Sequence, residues 1–217
     1  MKQKTLFIIA SVCLLGAFIL GALLYNAQKG ELTPKLADGP SAALVRMHSP
    51  TLGKDDAPVV IVEFFDPACE TCAAFYPMVK RLLADHPGKL RLVLRYAPFH
   101  PGSDQVVAAL EAARKQGKFW LALEKLLATQ ALWAPNHAAR IDLAWAQLDG
   151  LGLNPDQMRA DMASPEVAAV IAQDLADAQT LKVTKTPDFF VNGRPLPRFG
   201  FESLKGLVDA ALSDAPR

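Results

Sequence analysis

Two cysteines separated by two residues, Cys69 and Cys72, are the side chains of this sequence best suited to chemistry. They stand in Phe64-Phe65-Asp66-Pro67-Ala68-Cys69-Glu70-Thr71-Cys72. A thiolate is a nucleophile, and a close pair of thiols can pass a disulfide to another molecule through a mixed disulfide. A CxxC can also be half a zinc site. No second CxxC follows, however, and His86, His100 and His137 fit no usual zinc spacing. A purely structural bridge across so short a loop would gain little chain entropy. Redox exchange is therefore the favoured chemistry, and no metal or cofactor is expected.

The flanking elements are those that would position such a pair. Pro58 to Phe65 is a nearly continuous apolar, β-branched and aromatic run, as in a central strand buried on both faces. Asp66-Pro67 ends it. A helical pattern follows from Cys69 or Glu70 to about Asp85, closed by His86-Pro87-Gly88. Cys69 then lies at the first turn of a helix, where unpaired N–H groups and the positive end of the dipole favour a thiolate. Cys72 is one turn further in and less exposed. This predicts Cys69 as the attacking sulfur and Cys72 as the resolving one.

Lys89 to Tyr96 reads as a second strand, parallel to the first in a βαβ unit. Residues 103–181 are almost entirely helical, with breaks at Gly117, Ala134 to Asn136, Gly150 to Pro155, and Ser164-Pro165. Asp188 to Val191 is a short strand, Asn192-Gly193 a hairpin turn, Arg194 to Phe199 a return strand, and Phe201 to about Ser213 a closing helix. The expected fold is α/β, βαβ followed by ββα. Residues 58–102 and 182–217 form one domain, 103–181 an inserted all-helical subdomain, and 29–57 a Pro/Gly-containing linker.

The 217 residues carry 23 basic and 22 acidic side chains, and this balance gives no electrostatic footprint for nucleic acid. The third cysteine, Cys13, lies in an N-terminal apolar run, so the folded part holds only the CxxC pair. Lys2 and Lys4 precede that run, which is uncharged from Thr5 to Gln28 and strongly apolar from Leu6 to Leu24. About 20 apolar residues suffice to cross a bilayer. The segment 1–28 reads as an uncleaved signal anchor crossing the inner membrane through residues 5–25, with a cleaved signal peptide as the alternative. Either reading places residues 30–217 outside the cytoplasm, in the periplasm.

Val62-Glu63-Phe64-Phe65 leading into Cys69-Glu70-Thr71-Cys72, together with Lys185-Thr186-Pro187-Asp188-Phe189-Phe190-Val191-Asn192-Gly193, resembles the two signatures of the DsbA-like thioredoxin superfamily. The resemblance covers about residues 45–215 and includes the helical block. It implies a thioredoxin-like fold and thiol:disulfide exchange with exported proteins that carry cysteines, with a membrane redox partner to recycle the pair. Thr186-Pro187 matches the family's cis-proline, which grips an extended substrate. Glu63 matches the buried acid beneath the cysteines that helps move protons. Pro77 matches a kink in the active-site helix, and Arg95 could stand where relatives carry a basic partner for the buried acid, against the commoner outward-facing strand arginine. His100 reads as a solvated loop residue, and Trp120, Trp133 and Trp145 as packing within the helical block.

One departure bears on the direction of exchange. Strongly oxidising relatives carry Pro-His between the cysteines, where this chain has Glu70-Thr71. Glu70 sets a negative charge beside Cys69, opposing the thiolate, and the Thr71 hydroxyl compensates only in part. An oxidase is favoured but a milder one, with a reductase or isomerase as the alternative. The linker shows no heptads of the kind an isomerase uses to oligomerise. A thiol-based module that binds client proteins or copper ranks lower, because no Met- or His-rich tract accompanies the pair.

Overall fold

The computed structural model describes residues 43–215, together with Gly16 and Leu20. The apolar N-terminal run expected to cross a membrane lies outside the described residues, among which no helix is long and apolar enough to do so.

A five-stranded sheet carries the fold. Strand β1 (Thr51–Gly53), β2 (Val59–Phe65), β3 (Leu90–Tyr96), β4 (Asp188–Val191) and β5 (Arg194–Pro195) lie in the order β1-β3-β2-β4-β5. β2 and β3 are parallel, and the other pairs are antiparallel. All seven residues of β2 are buried, as a central strand covered on both faces requires. Between β2 and β3 runs α1 (Glu70–Asp85), which buries Cys72, Phe75, Tyr76, Val79 and Leu82 along one stripe. The closing α8 (Phe201–Asp214) adds Leu204 and Val208 to the same core. Asn192 and Gly193 take φ of 46° and 80°, the left-handed pair that a tight hairpin turn needs.

The helical block comprises α2 (Ser103–Lys115), α3 (Phe119–Ala128), α4 (Gln130–Trp133), a 3-10 turn (Pro135–His137), α5 (Ile141–Gln147), α6 (Pro155–Met162) and α7 (Pro165–Thr180). Two of the expected breaks are helix starts. Asn154 accepts from Asp156 N and Gln157 N, and Ser164 accepts from Val167 N, each with proline at the next position. Trp133 is fully buried in the core, and Trp120 and Trp145 pack partly buried against it.

Several expected boundaries are corrected. The linker ends before residue 57, because Thr51–Gly53 pairs with β3 as an edge strand, and Leu44 packs against the sheet. A three-residue strand carries too short a pattern to stand out in sequence. Gly53, at φ +109°, is needed there because a Cβ would run into the Leu90 carbonyl oxygen. The return strand stops at Pro195 rather than Phe199, since Pro195 and Pro197 lack the N–H of a ladder. α7 lies within residues 103–181, the expected insertion, yet its Ala178 packs with Val60, Val62, Phe64, Val93 and Phe190 on the second face of the sheet.

Arg95 is the largest correction. It neither faces solvent nor meets Glu63. The register pairs Glu63 with Leu94 and Phe64 with Arg95, so alternation sends Arg95 to the opposite face of the sheet. There its guanidinium lies 5.4 Å from the Phe64 ring. It donates to Asp174 (2.7 Å) and Asp177 (2.6 Å) of α7, and to the Ala43 carbonyl. Asp174 also accepts from Tyr96 N (2.7 Å) and lies 2.6 Å from His48 Nε2, while Arg46 grips Asp177 through two nitrogens. Burial pushes the Asp177 carboxyl up, but hydrogen bonds and charge from Arg46 and Arg95 hold it below the ordinary range. Its contribution to stability is present above the ordinary aspartate pKa and is lost as pH falls through the depressed one. Arg95→Leu leaves buried carboxylates without their main counter-charge, and it should cost about 3–5 kcal/mol at pH 7. Urea unfolding checks this; the loss should shrink toward pH 4 as the carboxyls left unpaired in the variant take protons, and a loss below about 0.5 kcal/mol at pH 7, the range of ordinary surface substitutions, would contradict it.

Candidate functional site

β2 ends at Phe65, and α1 begins at Glu70 after four intervening residues. Cys69 is the N-cap of that helix, with extended backbone (φ −80°, ψ 115°). Its sulfur takes the place of the usual capping oxygen and accepts from Cys72 N at 3.4 Å. Both cysteines are free thiols, Cys69 being 4% exposed and Cys72 fully buried. Thr186-Pro187 is a cis peptide. The Thr186 carbonyl oxygen lies 3.3 Å from Cys69 Sγ, which as a thiol donates to it.

The two sulfurs are electrostatically unlike. A hydrogen bond from the Cys72 thiol, with the backbone N–H groups of Cys72 and Thr71, outweighs burial and lowers Cys69 to a pKa of about 5. Burial raises Cys72 well above its ordinary value, aided by its bond to Cys69 and the nearby charge of Glu63. Glu63 is fully buried in β2, and neither carboxyl oxygen has a hydrogen-bond partner. Desolvation, then the charge of Cys69, raises it to about 8, so it is a neutral acid at pH 7. A buried, unpartnered carboxyl is a cost to folding, and such groups mark functional sites.

The remaining expected residues are spread around this centre. Glu70 and Thr71 are exposed on the first turn of α1. Pro77 sits inside α1, where it removes one helical hydrogen bond. Among the described residues, no group of three or more His, Cys, Asp or Glu side chains is arranged to hold a metal ion.

Three contributors escaped the sequence reading. Asp66, seen only as the end of a strand, is fully buried and organises the loop around the cysteines. Its carboxylate accepts from Ala68 N (2.8 Å), Phe99 N (2.8 Å), His100 N (2.9 Å) and Ser103 Oγ. His100, expected to be solvated, has Nδ1 2.6 Å from Asp66 Oδ2 and stacks on His137 at 5.1 Å. Gln130 of α4 reaches the same loop from the insertion. Asp-Pro after a strand was the available signal for Asp66. Nothing local marks Gln130, since its partners lie about 60 residues away in sequence.

Comparison with known proteins identifies the family. A family model described as thioredoxin matches residues 46–210. The chain is 35% identical over 167 residues to the Na(+)/H(+) antiporter NhaA 3 of Salinispora tropica, covering 75% of this chain but 24% of that protein. The chain thus spans about a quarter of the length of that relative. It is 29% identical over 222 residues to the probable disulfide bond formation protein D of Bacillus anthracis, covering 97% of each. Among solved structures, a thioredoxin-like oxidoreductase from Silicibacter pomeroyi matches with a TM-score of 0.70 and 32% identity, covering 82% of this chain and 100% of that one. The chain belongs to the thioredoxin family, with a helical insertion between β3 and β4.

Proposed function

We propose that this protein is a thiol:disulfide oxidoreductase that exchanges disulfides with exported, cysteine-containing proteins, working in the oxidase direction. One observation carries the reading: Cys69, a helix-capping sulfur lowered to about 5, stands beside Cys72, which burial raises. In the oxidised enzyme a substrate thiolate attacks Cys69 Sγ. The Cys69–Cys72 bond breaks, and Cys72 leaves with the electron pair and takes a proton, for which protonated Glu63 is the nearby source. A second substrate thiolate then attacks the substrate sulfur of the mixed disulfide and expels Cys69 as a thiolate. The substrate loses two electrons and the enzyme gains two.

The asymmetry favours this direction in two ways. A low-pKa thiol is the better leaving group, so release of Cys69 is fast. Stabilising the thiolate also stabilises the reduced enzyme, and this makes the disulfide an oxidant. The value near 5 falls between about 7 for thioredoxin and about 3.5 for DsbA. That supports a couple milder than the strongest oxidases, as Glu70-Thr71 suggested. In the reverse direction Cys69 attacks a substrate disulfide and Cys72 resolves, so a reductase uses the same residues with Glu63 as the proton acceptor.

On this reading Thr186 and Pro187 bind the substrate backbone next to Cys69, and Glu70 and Thr71 tune the couple. The reading also places the catalytic domain in the periplasm, tethered through residues 5–25, with a membrane partner restoring the disulfide. The apolar N-terminal run supports the tether, and the full-length similarity to a disulfide bond formation protein supports the activity.

Cys69→Ser should abolish exchange with insulin disulfides, and turnover surviving that change would overturn the assignment. Glu63→Gln should slow the steps in which Cys72 gains or loses a proton by about 100-fold or more, as expected for loss of a general acid–base group. It should also stabilise the protein above pH 8. Glu63 has a raised folded pKa, so its ionisation is a folding penalty that grows as pH rises above the unfolded value near 4.3 and is complete above about 8. Stopped-flow exchange and thermal melts at pH 6 and 9 check both; equal rates with an unchanged pH 9 melt would remove Glu63 from the mechanism.

A further inference from the structure

The loop that carries Cys69 has a tether that the exchange chemistry does not itself use. Gln130 opens α4 in the helical insertion, and its side chain is buried. Its Nε2 donates to the Pro67 carbonyl at 2.7 Å and to the Cys69 carbonyl at 3.1 Å, engaging both amide hydrogens. We infer that Gln130 is a positioning residue for Cys69, through which the helical insertion sets the seat of the nucleophilic sulfur. The inference rests on the exchange function proposed above and names what governs its redox balance.

The donor is held rigidly. Trp133, in the same short helix, is fully buried and donates from Nε1 to the Leu126 carbonyl at 2.9 Å. Ala134 N closes the turn onto Gln130 O at 2.8 Å. The acceptors are the two carbonyls that bracket the cysteine loop. Cys69 O already accepts the first helical bond, from Ala73 N at 3.2 Å, so Gln130 occupies its second lone pair and fixes that peptide plane. The other end of the loop is held by Asp66, whose backbone oxygen accepts from Cys69 N at 3.1 Å and whose side chain accepts from Ala68 N. With both sides pinned, the Cys69 dihedrals have little freedom. Those dihedrals decide whether Sγ stays 3.4 Å from Cys72 N. Released from Gln130, the Cys69 carbonyl can turn, and the sulfur loses alignment with the N–H groups that stabilise its charge.

Gln130→Met tests this, because methionine keeps the length and volume and removes both donors. In the full chain, the midpoint of pH-dependent Cys69 alkylation should rise by about one unit. The equilibrium with glutathione should move about tenfold toward the oxidised enzyme, since both shifts report the same thiolate stabilisation. That tenfold corresponds to about 30 mV for a two-electron couple. Gln130→Glu, which sets a carboxylate against both carbonyls, should move both readouts at least as far. A lower melting temperature with unchanged midpoint and glutathione equilibrium would show a merely structural contact and overturn the inference. If neither variant folds, the wild-type protein decides by NMR: the Gln130 side-chain amide signals should shift between oxidised and reduced states, and their invariance would overturn it. Loss of insulin exchange is read on the wild type separately, so failure of the functional reading is distinguishable from failure of this one.

Discussion

A sulfur that must carry negative charge while almost wholly removed from water needs donors aimed at it, and this constraint organises the protein around Cys69. The Cys72 thiol supplies the strongest of those donors and the helix start supplies others, because the first N–H groups of α1 have no partners within the helix. A capping side chain normally satisfies one of them with oxygen; here the cap is the Cys69 sulfur itself. For the arrangement to hold, the helix must begin at Cys69 and nowhere else. A fully buried central strand, the hydrogen bonds of Asp66 and the cis peptide at Thr186-Pro187 meet around that point.

The same burial that Cys69 overcomes works unopposed on its neighbours. Cys72, three residues deeper, has no comparable set of donors, so its thiol keeps its proton. Glu63, on the strand beneath, has no partner for either oxygen and holds its proton for the same reason. One charged sulfur thus stands beside two reluctant acids, which is the distribution a two-step proton-coupled exchange needs. Glu70 does not spoil it: it is exposed at the helix start, where solvent screens its charge and the dipole favours it.

Much of this was legible in the residues. The apolar run into Cys69, the helical spacing after it and the Asn-Gly turn are local patterns, and each forms the expected element. Faces and partners were less legible, because they depend on register between distant segments. Arg95 shows this plainly: its alternation within β3 can be read from sequence, but which alternate face holds Glu63 is set by pairing with β2. Its acidic partners lie about 80 residues away in α7. β1 was missed because three residues make no pattern. Gln130 was missed because a glutamine in a helical block looks like any surface residue until its carbonyl partners are known.

The central claim is that Cys69 is a thiolate at neutral pH while Cys72 is not. Titrating the reduced protein with a small alkylating reagent, and locating the modified cysteine by mass spectrometry, tests it most directly. Cys69 alone should react, at a rate that stays level from pH 8 down to about 6 and falls by half near pH 5. A midpoint near the ordinary cysteine value of about 8.5, or equal labelling of Cys72 below that pH, would contradict it.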